Sequence, residues 1–203
     1  MSNYVLVHGG SVTEAIWNDL AALLKQQGHK VNTLTLSDEK NSSLTNHISE
    51  VCTIIEKEKL DDVLLVGHSY GGLVIAGVGD KMPEKIKREI YLDTCLPTNG
   101  ESLFGLFKKY GLSPEAFEGL DPFPPYVEPL RFDEEKFRAM PKTYVHCKRS
   151  EFLAVTVHVR NAILQRMAED NWEYFEIDSR HTCMVDKPRE TSEILLRYAD
   201  CRV

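Results

Sequence analysis

A serine flanked by glycines, Gly67-His68-Ser69-Tyr70-Gly71, stands between an apolar run at 63–66 and a helical pattern at 70–79. Gly67-x-Ser69-x-Gly71 on a strand-to-helix turn is the pattern of a nucleophile elbow. The tight turn forces the serine into an unusual backbone geometry and projects its hydroxyl above the sheet. The adjoining helix N-terminus favours negative charge developing there. An attacking hydroxyl needs a base. His181, in Asp178-Ser179-Arg180-His181, follows the last β run, where a loop can return to the sheet's upper edge. The other histidines fit less well: His8 ends the first strand, His68 sits beside Ser69, His29 and His47 fall in early connections, and His146 and His158 lie before or inside a helix. None of their spacings is a zinc-ligand pattern, so no metal is expected. The oxyanion needs backbone N–H donors, which fall on Tyr70, just after the serine, and on Gly10 in His8-Gly9-Gly10-Ser11. Each glycine-rich loop alone could be a simple packing turn; the two together are more informative.

These groups must be held by a scaffold, and the periodicity describes one. Short β runs at 4–8, 31–36, 63–66, 89–92, 142–147 and 172–177 alternate with helical spacing at 14–27, 43–58, 70–79, 153–169 and 188–199. The wholly apolar run 63–66 suits the inside of a parallel sheet. Six strands separated by helices give an α/β chain with a mostly parallel six-stranded sheet flanked by helices and right-handed connections. The stretch 97–141 breaks the rhythm. It carries Phe104, Phe107, Phe117, Tyr126 and the Asp-Pro-Phe-Pro-Pro run, and it exceeds the usual connection. It reads as a small cap or lid inserted at the carboxyl ends of the strands, where ligands bind in such folds. A surface excursion anchored by its aromatics is the plainer alternative. Residues 1–203 then form one domain with the cap inside it.

Composition narrows the partners. The chain has 203 residues, 31 acidic against 24 basic, and a formal charge of −7. An acidic surface repels phosphate backbones, so nucleic acid is not the expected partner. No apolar stretch is long enough to span a bilayer, and the N-terminal residues enter a strand without a basic segment and apolar core, so no membrane partner is expected. Five cysteines without a C-x-x-C pair suggest free thiols and a cytoplasmic location. Gly77-x-Gly79 lies late in a helix and no G-x-x-x-x-G-K occurs, so no nucleotide cofactor is expected.

The motifs V-L-V-H-G-G, L-L-V-G-H-S-Y-G-G, Y-L-D-T-C-L-P and R-H-T-C-M-V-D-K-P resemble the α/β-hydrolase superfamily, and within it the small methylesterase and hydroxynitrile lyase-like group. The resemblance spans nearly the whole chain. It implies a cofactor-free serine hydrolase with a cap over a mostly apolar pocket, Ser69 as nucleophile, His181 as base, and Gly10 and Tyr70 as oxyanion donors. The lyase branch places threonine and lysine where this chain has Gly9 and Thr182, which favours the esterase branch. The triad acid departs from the family pattern: its usual position, after the strand 142–147, falls on Ser150. Asp93, ending the preceding strand, and Glu151 remain the two candidates, with another acid or none as the third possibility, because triads are defined by geometry. The expected activity is hydrolysis of a small, apolar or aromatic carboxylic ester through an acyl-enzyme. A non-catalytic small-molecule-binding protein of the same fold is the alternative, and a C–C bond lyase a further one. The expected partner is the ester itself, with a homodimer left open.

Overall fold

The computed structural model describes residues 1–114 and 120–199; Phe117 and Cys201 lie outside them. Six strands, β1 (Asn3–Val7), β2 (Lys30–Leu34), β3 (Val63–His68), β4 (Ile86–Leu92), β5 (Lys142–Cys147) and β6 (Trp172–Ile177), form one sheet in the order β2-β1-β3-β4-β5-β6. Every pairing is parallel. The helices are α1 (Asn18–Gln26), α2 (Leu44–Lys57), α3 (Gly71–Lys81), α4 (Leu103–Lys109), α5 (Pro124–Val127), α6 (Glu134–Ala139), α7 (Leu153–Arg166), α8 (Cys183–Asp186) and α9 (Pro188–Leu196).

Strand alternation divides the core. Tyr4, Leu6, Leu64 and Val66 point to the side covered by Leu20 and Leu24 of α1 and Leu195 of α9. Val5, Val7, Val63 and Leu65 point to the side covered by Val51 and Ile55 of α2 and Leu73 and Val74 of α3. Successive side chains serve opposite faces, so a central strand covered on both sides must be apolar throughout. Each fully buried Leu or Val contributes roughly 1.5–3 kcal/mol.

The helical pattern at 14–27 is interrupted. Its first turn, Glu14–Trp17, is 3-10, capped by Thr13, and the α-helix proper starts at Asn18. Trp17 is fully buried where the two turns meet. The pattern at 153–169 stops earlier than its spacing predicts: α7 ends at Arg166 and the chain turns through Asp170 into β6.

Segment 97–141 lies between β4 and β5 and holds α4, α5 and α6. Its base is tied by Gly100 N–H to Leu130 O (2.7 Å) and Leu130 N–H to Glu101 O (2.9 Å). Its aromatics pack over the β3–α3 junction: Tyr126 meets Tyr70 edge-on (centroids 5.1 Å) and lies parallel to Phe104 (6.0 Å).

Candidate active site

Ser69 follows β3 and Asp93 follows β4, on adjacent strands paired as His68↔Leu92. Both leave the sheet through a left-handed backbone, Ser69 at φ 52° and Asp93 at φ 49°. Such values are strained for residues with a Cβ and turn each side chain away from the run of its strand. The elbow closes because its glycines lack side chains. A Cβ on Gly71 would lie 2.5 Å from Val7 O, and one on Gly67 would lie 2.6 Å from Gly71 O. Tyr70 precedes the first residue of α3, so its N–H belongs to the helix-start donors that have no intrahelical partner.

His181 is brought over β5 by the loop that follows β6. Its Nδ1 lies 2.7 Å from Asp93 Oδ2, with the Asp93 side chain fully buried. A carboxylate oxygen accepts, so in this contact the ring donates from Nδ1. The imidazole contacts two rings, His68 (centroids 4.5 Å) and Phe152 (4.4 Å). His68 also reaches the His181 carbonyl through Nε2 at 3.1 Å. Burial, followed by the proximity of His181, holds the His68 imidazole well below its usual value.

Asp93 is itself oriented by two further donors. Cys147 N–H reaches Oδ1 at 3.1 Å, and the Ser150 hydroxyl donates to Oδ2. Ser150 also accepts from Phe152 N–H at 3.0 Å. Glu151 acts on the main chain instead. Its carboxylate accepts the backbone N–H of His181 at 3.1 Å and does not bond the ring. That bond holds the Glu151 carboxyl below its ordinary value. In the sequence, Ser150 marks only the place where an acid is absent. The partner of its hydroxyl lies 57 positions away and leaves no local signature.

Ser69, Tyr70, Asp93 and His181 line one cavity, whose remaining wall is mostly apolar and includes Leu103, Phe107 and Phe152. Its volume is about 20 Å³, close to the space of a single water. On the first loop, Ser11 N–H is held by Glu39 Oε1 at 2.7 Å, and Ser11 has a φ of 57°. The Tyr126 hydroxyl packs directly against Gly10. His8 is fixed as one tautomer: Leu36 N–H donates to Nε2 at 3.0 Å, so Nδ1–H donates to Gly9 O at 2.7 Å.

A larger cavity, about 180 Å³, lies between residues 96–99, α6 and α7. Its charged residues pair with one another, Arg166 with Asp170 at 3.2 Å and Arg138 with Glu134 at 3.6 Å. It contains no nucleophile beside a base, so size does not identify the chemical site. Among the described residues no group of three or more His, Cys, Asp or Glu could hold a metal, and no helix is long and apolar enough to cross a membrane.

The six-stranded parallel sheet thus carries a Gly-x-Ser-x-Gly elbow beside a paired histidine and aspartate. Residues 4–175 match the alpha/beta hydrolase family, and the chain belongs to it. The carbendazim hydrolyzing esterase of Nocardioides sp. (strain SG-4G) is 47% identical over 124 residues, covering 57% of this chain and 50% of that protein. Methylesterase 8 of Arabidopsis thaliana is 30% identical over 136 residues, covering 62% of this chain and 50% of that protein. The matched region thus spans half the length of each relative. An extracellular alpha/beta-hydrolase from a Paenibacillus species superposes with a TM-score of 0.77 at 22% identity, covering 99% of this chain and 100% of that one. At that identity the likeness is one of fold.

Proposed function

We propose that the protein is a serine esterase cleaving small carboxylic esters in two acyl-transfer steps. The observation that carries this reading is the 2.7 Å contact between His181 Nδ1 and Asp93 Oδ2, in the same cavity as the strained Ser69. His181 Nε2 takes the Ser69 proton as the oxygen attacks the ester carbonyl, while the N–H groups of Gly10 and Tyr70 stabilise the oxyanion. The imidazolium, balanced by Asp93, protonates the departing alcohol. Water then attacks the acyl-enzyme by the same route and restores Ser69.

Asp93 serves as the acid in place of the usual family position, and Glu151 holds the His181 main chain. Segment 97–141 acts as the cap: Leu103 and Phe107 come from it, and they exclude water and favour an apolar or aromatic substrate. The esterase names of the sequence relatives support the reaction class. All three reacting groups belong to one chain, so the chemistry does not require a homodimer. The free thiols of Cys52, Cys95, Cys147 and Cys183 support a cytoplasmic location.

A serine-directed phosphonate tests the reading. It is expected to modify Ser69, located by peptide mass spectrometry, and to leave the His181→Ala protein unmodified. An unreactive Ser69 in the folded wild-type protein, or modification of Ser150 instead, overturns it.

A further inference from the structure

Thr156 stands on α7 with its side chain in the wall of the Ser69–His181 cavity, and only 1% of the residue is exposed. Its Oγ1 is buried and has no hydrogen-bond partner among the described residues. A helical threonine ordinarily satisfies itself by donating to the carbonyl four residues back. That outlet is closed here. Phe152 O already accepts Val155 N–H and Thr156 N–H, both at 2.9 Å, so its two lone pairs are taken.

The other hydroxyls lining the cavity outside the reacting groups are committed. Thr94 donates to Cys95 O at 2.9 Å, and the Tyr70 hydroxyl meets His47 Nδ1 at 2.9 Å. Thr156 therefore contributes an uncommitted hydroxyl, among the described residues, to a wall formed mainly by Cys95, Leu103, Phe107, Leu120, Phe152 and Val155. Burying a hydroxyl without a partner costs free energy that a valine of similar shape would not incur. A partner arriving with the ligand recovers it.

We propose that Thr156 is a specificity-determining residue for a hydrogen-bonding atom on the substrate. It rests on the esterase reading of the same cavity. The substrate class it selects is an ester with a flat, apolar body bearing one hydroxyl or ring nitrogen away from the scissile bond. A ring enters this cavity, about 20 Å³ as it stands, only when the Phe and Leu side chains shift, and the heteroatom then meets Thr156 Oγ1. Sites built to bond a substrate hydroxyl discriminate more sharply against its absence than apolar pockets discriminate by size.

Binding to the Ser69→Ala protein separates this inference from the chemistry. The probes are methyl benzoate with its three ring-hydroxylated isomers, and phenyl acetate with its three, so that both sides of the ester are sampled. At least one hydroxylated isomer is expected to bind roughly five- to tenfold more tightly than its parent. The preference is expected to vanish in Ser69→Ala/Thr156→Val and to persist in Ser69→Ala/Thr156→Ser. Thr156→Val alone is expected to melt no lower than wild type, because no internal bond is lost. The inference is overturned by equal binding across both series, by a preference that survives in the valine variant, or by a clear loss of thermal stability in Thr156→Val. Turnover of the unsubstituted esters by the Ser69 protein is a separate readout: its absence defeats the esterase reading and leaves the binding comparison intact.

Discussion

The Ser150 hydroxyl donates to Asp93 Oδ2, the same oxygen that accepts the His181 Nδ1 proton. The residue at the position where the acid was expected thus supports an acid on the neighbouring strand. Removing that support leaves Asp93 one donor short and Phe152 N–H without its acceptor. Ser150→Ala is expected to lower kcat roughly tenfold, the effect of one hydrogen bond to a charged group. Ser150 does not line the cavity, so KM should stay nearly constant. Steady-state kinetics on a small ester checks this, and a change confined to KM would contradict it.

The two carboxylates near His181 should separate cleanly on mutation. Asp93→Asn offers the ring an amide and disturbs the proton placement on Nδ1, with an expected loss of roughly 10³–10⁴ in kcat. Glu151→Gln keeps an acceptor for the His181 main-chain N–H and should stay within roughly tenfold of wild type. Measuring kcat for both variants decides the assignment; the reverse ranking would falsify it.

Backbone strain at the elbow can be read by comparing two inactive proteins. Ser69→Ala keeps a Cβ at φ 52°, whereas Ser69→Gly removes it. The glycine variant should be more stable than the alanine variant by about 0.5–1 kcal/mol, since relief of the left-handed strain outweighs glycine's larger unfolding entropy. Urea unfolding of the pair measures the difference, and equal midpoints would remove the claim of strain.

A buried carboxylate away from the site should govern part of the pH dependence of stability. Glu89 on β4 is 1% exposed, bonded by the Tyr91 hydroxyl at 2.6 Å and close to the buried Lys142, and burial pushes its carboxyl up to about 7. A folded value above the unfolded one means that folding takes up a proton. The contribution is fully present below about 4.5 and is lost as pH rises through about 7. Glu89→Gln retains an acceptor for Tyr91 and should flatten the fall in stability across that window. Denaturant titrations at several pH values check it; an unchanged slope would exclude Glu89 as its source.

The scaffold was legible because its signals are local. Apolar runs and turn residues located all six strands, and Gly67 is needed by its contact with Gly71 and Gly72, although Gly71 is needed because the end of β1 lies against it. Asp93 was reachable as a candidate because it ends a strand. The role of Ser150 was not, because it depends on two segments meeting beyond the ends of β4 and β5. Lys142 shows the opposite failure of local reading. A lysine at a strand start suggests an exposed end, yet its ammonium is buried and donates to the carbonyls of Phe137 and Met140. Thr156 likewise looks like an ordinary helical threonine until the double occupation of Phe152 O is seen.

Strand order also divides the proposed site between the two halves of the chain. Ser69 and Asp93 follow consecutive neighbouring strands, so the β3–β4 pairing alone sets them side by side. His181 arrives only after β5 and β6 have added to that edge. On the proposed chemistry, a chain without a docked β6 lacks its base, so acyl transfer would report on completed folding.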